Sequence, residues 1–332
     1  MLLSLVADRR VLFVSGKGGV GKTSVASALA LARARAGARV LVVSTDPAHN
    51  LGHVWDRPVG DEPTRLTTLG GRVEGRVEGR VEGGGGIVDG IEIDPQATVD
   101  RHLAGVRASM HRLLPERLRS AADRHLAAAR EAPGTHESAI LERIAEAVET
   151  GLSDYDLVVF DTAPSGHTLR LMALPEQLTA WTATLLANRD RSERFGAALR
   201  GLGGGTDTLD RDAELRRLLV RRQARFTALR DAVTDPATTS FVLVLLAERL
   251  PVAETLDLRA RLLQLGIGVE ALVVNRRSPA DAGELLAARR EAEDRQLGVV
   301  REAVGEPVLE LPLLPGELVG ESGLAALAAL LG

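Results

Sequence analysis

The sequence predicts an α/β fold: a doubly wound, mostly parallel sheet carrying an α-helical subdomain. Three observations lead there. Short apolar runs alternate with longer segments of helical period. The runs are uninterrupted rather than alternately polar and apolar, which is the pattern of strands buried on both faces. Two long stretches rich in Ala, Leu and Arg break the alternation, and a parallel sheet has no use for them as strands.

The elements follow in order. "VLFVSG" (11–16) reads as a buried strand, and residues 22–37 continue with helical period. "RVLVVSTD" (39–46) is a second strand and "IVDGIEID" (87–94) a weaker third. "YDLVVFD" (155–161), "SFVLVLLA" (240–247), "VEALVVN" (269–275) and "PVLELPLL" (307–314) complete the set. The core of one domain is expected from 1–94, 151–177 and 236–332, with 95–150 and 178–235 as helical inserts broken at Pro115, Pro133–Gly134 and 201–205. Leu103, Val106, Met110 and Leu114 share one face of the first insert, and Leu215, Leu219, Phe226 and Leu229 one face of the second. These faces are expected to pack together; the sharper alternative is an apolar surface exposed in one ligand state. Residues 72–83 are "RVEG" three times over, inside a low-complexity loop at 70–86 that cannot bury a core and is expected to be disordered.

Composition narrows the function classes. At 332 residues and 45 % hydrophobic content the chain has ample material for a core. A formal net charge of -4 gives no general attraction to nucleic acid or anionic membrane, and 2 % aromatic content disfavours a base-stacking platform. The absence of cysteine excludes disulfides, thiolate metal sites and a cysteine nucleophile. "MLLSLVADRR" has an apolar start without a basic leader, and no run of about 18 apolar residues exists, so neither a signal peptide nor membrane insertion is expected. The expected compartment is the cytoplasm.

The chemistry concentrates in "SGKGGVGKTS" (15–24), where G-x-x-x-x-G-K-[ST] is filled from Gly16 to Thr23. Between a buried strand and a helix this is a phosphate loop. Backbone N–H groups of Gly18, Gly19, Val20, Gly21, Lys22 and Thr23 are the expected cradle for the β-phosphate, helped by the helix N-terminus, and Gly16, Lys17 and Ser24 complete the expected nucleotide-binding loop. Lys22 is expected to reach the β- and γ-phosphates of ATP, and the Thr23 hydroxyl to bind Mg²⁺. The chain's 41 basic residues are 39 arginines and two lysines, and both lysines, Lys17 and Lys22, stand in this loop. A compact ammonium suits a tight cradle where a guanidinium does not, so both are read as chemical requirements.

Two aspartates are expected beside the γ-phosphate. Asp46, at the carboxyl end of the second strand in "STDPAHN", can orient the attacking water or assist Mg²⁺. It is also a candidate helix N-cap before Pro47, and Asn50 is a candidate phosphate or water contact. His49 and His53 suggest a metal pair but lack a third ligand, and switch packing is the favoured reading. Asp161 ends "YDLVVFD", four apolar residues before an aspartate, the layout of a Mg²⁺-supporting carboxylate. Thr162, Pro164, Gly166 and His167 follow in a polar loop that leads toward the second helical insert.

Together these segments resemble one family. "GKGGVGKT" is similar to the deviant Walker motif of the dimeric ATPases that include the MinD/ParA, nitrogenase iron-protein and arsenite-pump branches. "STDPAHN" and "DTAPSGHTLR" resemble the arsenite-pump ATPase (ArsA) branch, which includes the guided-entry ATPase targeting tail-anchored membrane proteins. "VEALVVNRR" looks like the family segment ending in an adenine-contacting asparagine, here Asn275, and "PLLPGELVG" like its adenine loop, centred on Pro315. The resemblance implies a Mg²⁺-dependent ATPase acting as a homodimer, with Lys17 reaching across the two-fold interface to the partner's phosphates. It also implies a membrane-protein client or a membrane partner.

The departures concern cargo. The arsenite pump proper carries two such halves and a cysteine metalloid site, and the eukaryotic targeting ATPase a Cys-x-x-Cys zinc clamp and a methionine-rich groove. This sequence has one half, no cysteine, and only Met1, Met110 and Met172. The alternatives are therefore an energising subunit of an anion exporter and a MinD/ParA-like positioning ATPase. The base-free "ESGLAALAALLG" counts against the latter.

Overall fold

The computed structural model describes residues 2–46, 50–70, 85–113, 116–130, 135–162 and 207–332. Eight strands form one sheet: β1 Val11–Ser15, β2 Arg39–Ser44, β3 Thr64–Thr68, β4 Ile87–Glu92, β5 Leu157–Asp161, β6 Thr239–Leu246, β7 Val269–Arg277 and β8 Val308–Pro312. Their order is β3-β4-β2-β5-β1-β6-β7-β8, with only the β3–β4 pair antiparallel. The described helices are α1 Leu2–Leu5, α2 Lys22–Arg35, α3 Asn50–Trp55, α4 Pro95–Leu113, α5 Glu116–Arg130, α6 Thr135–Asp154, α7 Asp207–Thr234, α8 Arg249–Gln264, α9 Glu284–Ala303 and α10 Gly320–Ala329.

The predicted doubly wound parallel sheet is the observed one. Every residue of β1 and β5 is buried, as an uninterrupted apolar run requires of a central strand covered on both faces. β3 went unread because TRLTT offers one aliphatic side chain, Leu66; a short polar strand suffices at a sheet edge. The apolar N-terminal start is the short helix α1, whose Leu2 is buried and whose Leu3 N–H donates to the Leu331 carbonyl at 3.1 Å. The main core lies around α2, which packs against α10 and buries Val25, Leu29 and Leu31.

Three phenylalanines fix the middle of the sheet. Phe13 of β1 is paired in register with Phe160 of β5 and with Phe241 of β6. Its ring stacks on theirs at centroid distances of 4.8 and 4.7 Å, each at 12° between planes.

The chain divides into two compact units. The first, Met1–Asp94, Ala147–Arg170 and Ala232–Gly332, holds the whole sheet. The second comprises Pro95–Glu146 and Leu171–Asp231. Within it α4 packs on α5, and Val99, Leu126, Leu141, Ile144, Phe226 and Leu229 are buried. Leu103, Val106 and Met110 are half-buried there, and Arg225 pairs with Glu146 at 3.1 Å. The RVEG repeats, Leu114 and Leu215 lie outside the described residues or side chains. None of the described helices is long and apolar enough to cross a membrane.

Candidate nucleotide site

Parallel strands direct their carboxyl ends to one edge, and the expected site residues of the sheet unit gather there. β1 runs straight into the glycine loop, and α2 begins at Lys22. Two loop glycines are required by close approach. A Cβ on Gly16 would stand 2.1 Å from the Val244 carbonyl oxygen of β6. Gly21 has φ 95°, and a Cβ there would stand 2.4 Å from Nδ2 of Asn275.

Asn275, at the carboxyl end of β7, is thus tied to the loop. Its Nδ2 donates to the Val20 carbonyl at 2.9 Å, and its Oδ1 accepts from the Arg276 N–H at 2.9 Å. Pro315 is exposed on the segment between β8 and α10, which joins the end of β7 where the Leu313 N–H donates to the Arg277 carbonyl at 2.8 Å. The two residues matched by resemblance to an adenine site therefore flank the same edge of the sheet.

Lys22 is buried, and its Nζ donates to the Lys17 carbonyl across the loop at 3.1 Å. Burial lowers its pKa, against the opposing pull of Asp161 and Asp46. Beside it the Thr23 hydroxyl donates to Oδ2 of Asp161 at 2.6 Å. Asp161 is 0 % exposed and its Oδ1 has no hydrogen-bond partner among the described residues. Burial pushes its pKa up to about 7; the Thr23 hydroxyl and Lys22 pull it down, while Asp46 and Glu92 add to the rise. A wholly buried carboxylate oxygen with no partner among the described residues, beside a hydroxyl and a lysine, fits a hard divalent cation. Oxygen donors of this kind suit Mg²⁺, so the residues present agree with the expected metal.

The strand ends are cross-linked just behind this pair. Ser15 and Thr162 hydroxyls are 2.8 Å apart, and the Thr162 hydroxyl donates to the Val14 carbonyl at 3.1 Å. Asp46 follows β2, whose Ser44 is paired in register with Asp161, and its charge is felt at both Lys22 and Asp161. Asn50 opens α3. Pro47, His49, Pro164, Gly166 and His167 lie outside the described residues.

Three features escaped the sequence reading. Glu92, buried at the end of β4, accepts from the N–H groups of Leu51 and Gly52 at 2.7 and 3.1 Å, so it anchors the start of α3. The visible signal was an acid closing a strand beside Asp46 and Asp161. Arg277, only 2 % exposed at its side chain, binds Glu310 at 2.7 Å, Glu293 at 2.8 Å and also Asp294. Its neighbour Arg276 has φ 55°, which turns the chain immediately after Asn275. The acid-rich "EAEDR" of α9 was the available hint. Lastly, Lys17 is not a free loop lysine: its Nζ lies 3.2 Å from Oε1 of Glu254 on α8.

Comparison with known proteins agrees with this geometry. The model of the anion-transporting ATPase family matches residues 9–332. An arsenical pump-driving ATPase of Acidiphilium multivorum is 31 % identical over 330 residues, covering 96 % of this chain and 48 % of its own length. The chain thus spans about half the length of that relative. The ATPase ASNA1 homolog 1 of Paramecium tetraurelia is 28 % identical, covering 96 % of this chain and 91 % of its own. The ATPase ARSA2 of Chlamydomonas reinhardtii is 33 % identical, at 98 % and 86 %. With a match along nearly its whole length, and the glycine loop, Thr23–Asp161 pair and Asn275 in place, the chain belongs to the anion-transporting ATPase family.

Proposed function

We propose that this chain is a Mg²⁺-dependent ATPase that hydrolyses ATP at the interface of a homodimer and uses the cycle to switch a helical client- or partner-binding unit. The observation that carries the reading is the hydrogen bond from Thr23 to buried Asp161, beside Lys22 at the mouth of the glycine loop. Loop N–H groups and Lys22 bind the phosphates, and Lys22 leaves the Lys17 carbonyl to do so. Thr23 and Asp161, with Asp46 nearby, would hold Mg²⁺, which would supply positive charge against that of the phosphates. Asp46 orients the attacking water, the γ-phosphoryl passes to that water, and ADP leaves. Asn275 and Pro315 contact adenine. Lys17 of the partner protomer adds positive charge as the transition state forms.

The test separates action across the interface from action within one subunit. Lys17→Ala and Asp46→Asn are each nearly inactive alone. Mixed equally and re-equilibrated, half the dimers are hybrids with one intact composite site each, so activity returns to about a quarter of wild type. A mixture that stays dead, with subunit exchange confirmed by a mass tag, refutes the trans arrangement.

The output is proposed to be a conformational change read by a membrane-protein client, as the resemblance to the targeting ATPase suggests. Energising an anion exporter is the second reading, favoured by the arsenical pump-driving relatives. With no cysteine there is no thiolate ligand for trivalent arsenic, so arsenite at micromolar concentration does not stimulate the ATPase; several-fold stimulation would overturn that expectation. A positioning ATPase anchored through "ESGLAALAALLG" is disfavoured by packing: Leu324, Leu327, Ala328 and Leu331 of this segment are buried in the core.

A further inference from the structure

The β1–β6 adjacency places the start of the glycine loop beside α8, the helix that follows β6. Lys17 uses this proximity. Its ammonium lies 3.2 Å from Oε1 of Glu254, in the second turn of α8, with the two side chains 32 % and 38 % exposed. Lys22 is held at the same time by the Lys17 carbonyl. Both lysines of the loop are therefore occupied within the protomer before any phosphate arrives.

We propose that Glu254 is a positioning residue that acts as a latch on Lys17: it retains the lysine in its own protomer, and the pair must open before that lysine can enter the partner's site. The inference rests on the trans-lysine reading above. A latch here needs to be weak, and half-exposed ion pairs are weak. Removing it is expected to raise the fraction of lysine-released protomers up to about fivefold. A two-fold dimer requires both lysines released, so the effect on dimer affinity is the square, up to about 25-fold. Salt screens a pair of this exposure, so added salt is expected to narrow the difference between wild type and a latch-free variant.

The scarcity of lysine supplies a direct probe. Lysine labelled with ¹³C at Cε gives two side-chain resonances in this chain, one from Lys17 and one from Lys22. In the nucleotide-free protein, Glu254→Gln is expected to move the Lys17 resonance to the position of a solvated lysine and to leave that of Lys22 in place. Sedimentation with a non-hydrolysable ATP analogue and Mg²⁺ then compares wild type, Glu254→Gln, Lys17→Ala and the double variant. Glu254→Gln is expected to lower the dimer dissociation constant in the wild-type background and to change nothing in the Lys17→Ala background. An unmoved Lys17 resonance overturns the pair, and an unchanged dissociation constant overturns the latch. An equal change in both backgrounds also overturns it, because Glu254 then acts without Lys17. A dead hybrid mixture in the activity experiment, alongside a Lys17-dependent effect here, removes the trans site and leaves the latch as a control on assembly alone. Absence of any nucleotide-driven dimer overturns both.

Discussion

Asp161→Asn exchanges stability against function in a way that pH exposes. Asp161 is wholly buried, its Oδ2 accepts from Thr23, and its Oδ1 has no partner among the described residues. Burial raises its pKa from 3.8 to about 7. Between those values the native state keeps a proton that the unfolded chain has lost, so the stability contributed by the group is fully present below pH 3.8 and is lost as pH rises through about 7. Roughly three pH units at about 1.4 kcal/mol each come to about 4 kcal/mol lost by pH 8. An asparagine still accepts from Thr23 and does not titrate. It also removes an opposite charge from Lys22, whose buried ammonium needs one, so about 4 kcal/mol is the upper end of the gain. Urea unfolding in EDTA, free of nucleotide, measures it. At pH 8 the variant is expected to be more stable than wild type by up to about 4 kcal/mol, and at pH 4 the gain falls below about 1 kcal/mol. The same variant is expected to lose ATPase activity, because the carboxylate proposed to hold Mg²⁺ is gone. A gain that is flat from pH 5 to 8, or a variant less stable than wild type at pH 8, refutes the assignment of a buried titrating carboxylate.

Other perturbations follow from the same geometry. Gly21→Ala places a Cβ 2.4 Å from Asn275 Nδ2 at φ 95°, and strain of this kind costs about 1–3 kcal/mol; ATP affinity by calorimetry falls more than about tenfold, whereas Gly19→Ala, strained by φ 82° but with open space around its Cβ, falls less. Arg277→Met removes one buried partner of Glu293 and costs about 3 kcal/mol by urea unfolding, at the low end for a broken buried pair, because Glu293 keeps Arg289 and Ser278 and Glu310 keeps Arg290 and Arg301. Glu92→Gln weakens the anchor of α3 by about 1 kcal/mol and speeds amide exchange at Leu51 and Gly52.

What could be read from the sequence was local. The glycine loop is legible because its glycines answer to backbone crowding, and crowding admits only that residue at Gly16 and Gly21. Asp161 is legible because a buried strand that ends in an acid needs a reason for the charge. Glu92 is silent because its partners, the N–H groups of Leu51 and Gly52, lie about 40 residues earlier and carry no side-chain mark. Glu254 is silent because its partner Lys17 is 237 residues away, and only the adjacency of β1 and β6 brings the two together. β3 is silent because an edge strand has half the burial of an inner one and needs little apolar pattern.

The stacked phenylalanines have a consequence for alignment. In a sheet, one residue of slippage turns every side chain to the opposite face. Asp161 directly follows Phe160, and Ser15 lies two residues beyond Phe13, so the rings that lock β5 to β1 also decide that Asp161 meets Thr23 and that Ser15 meets Thr162. The ladder works as an index pin set one or two residues below the chemistry. A smaller aliphatic residue at position 13 would keep the strand and loosen the pin, and its first symptom would be a misaddressed carboxylate rather than an unfolded sheet. A chain with only five phenylalanines places three of them at this one coordinate.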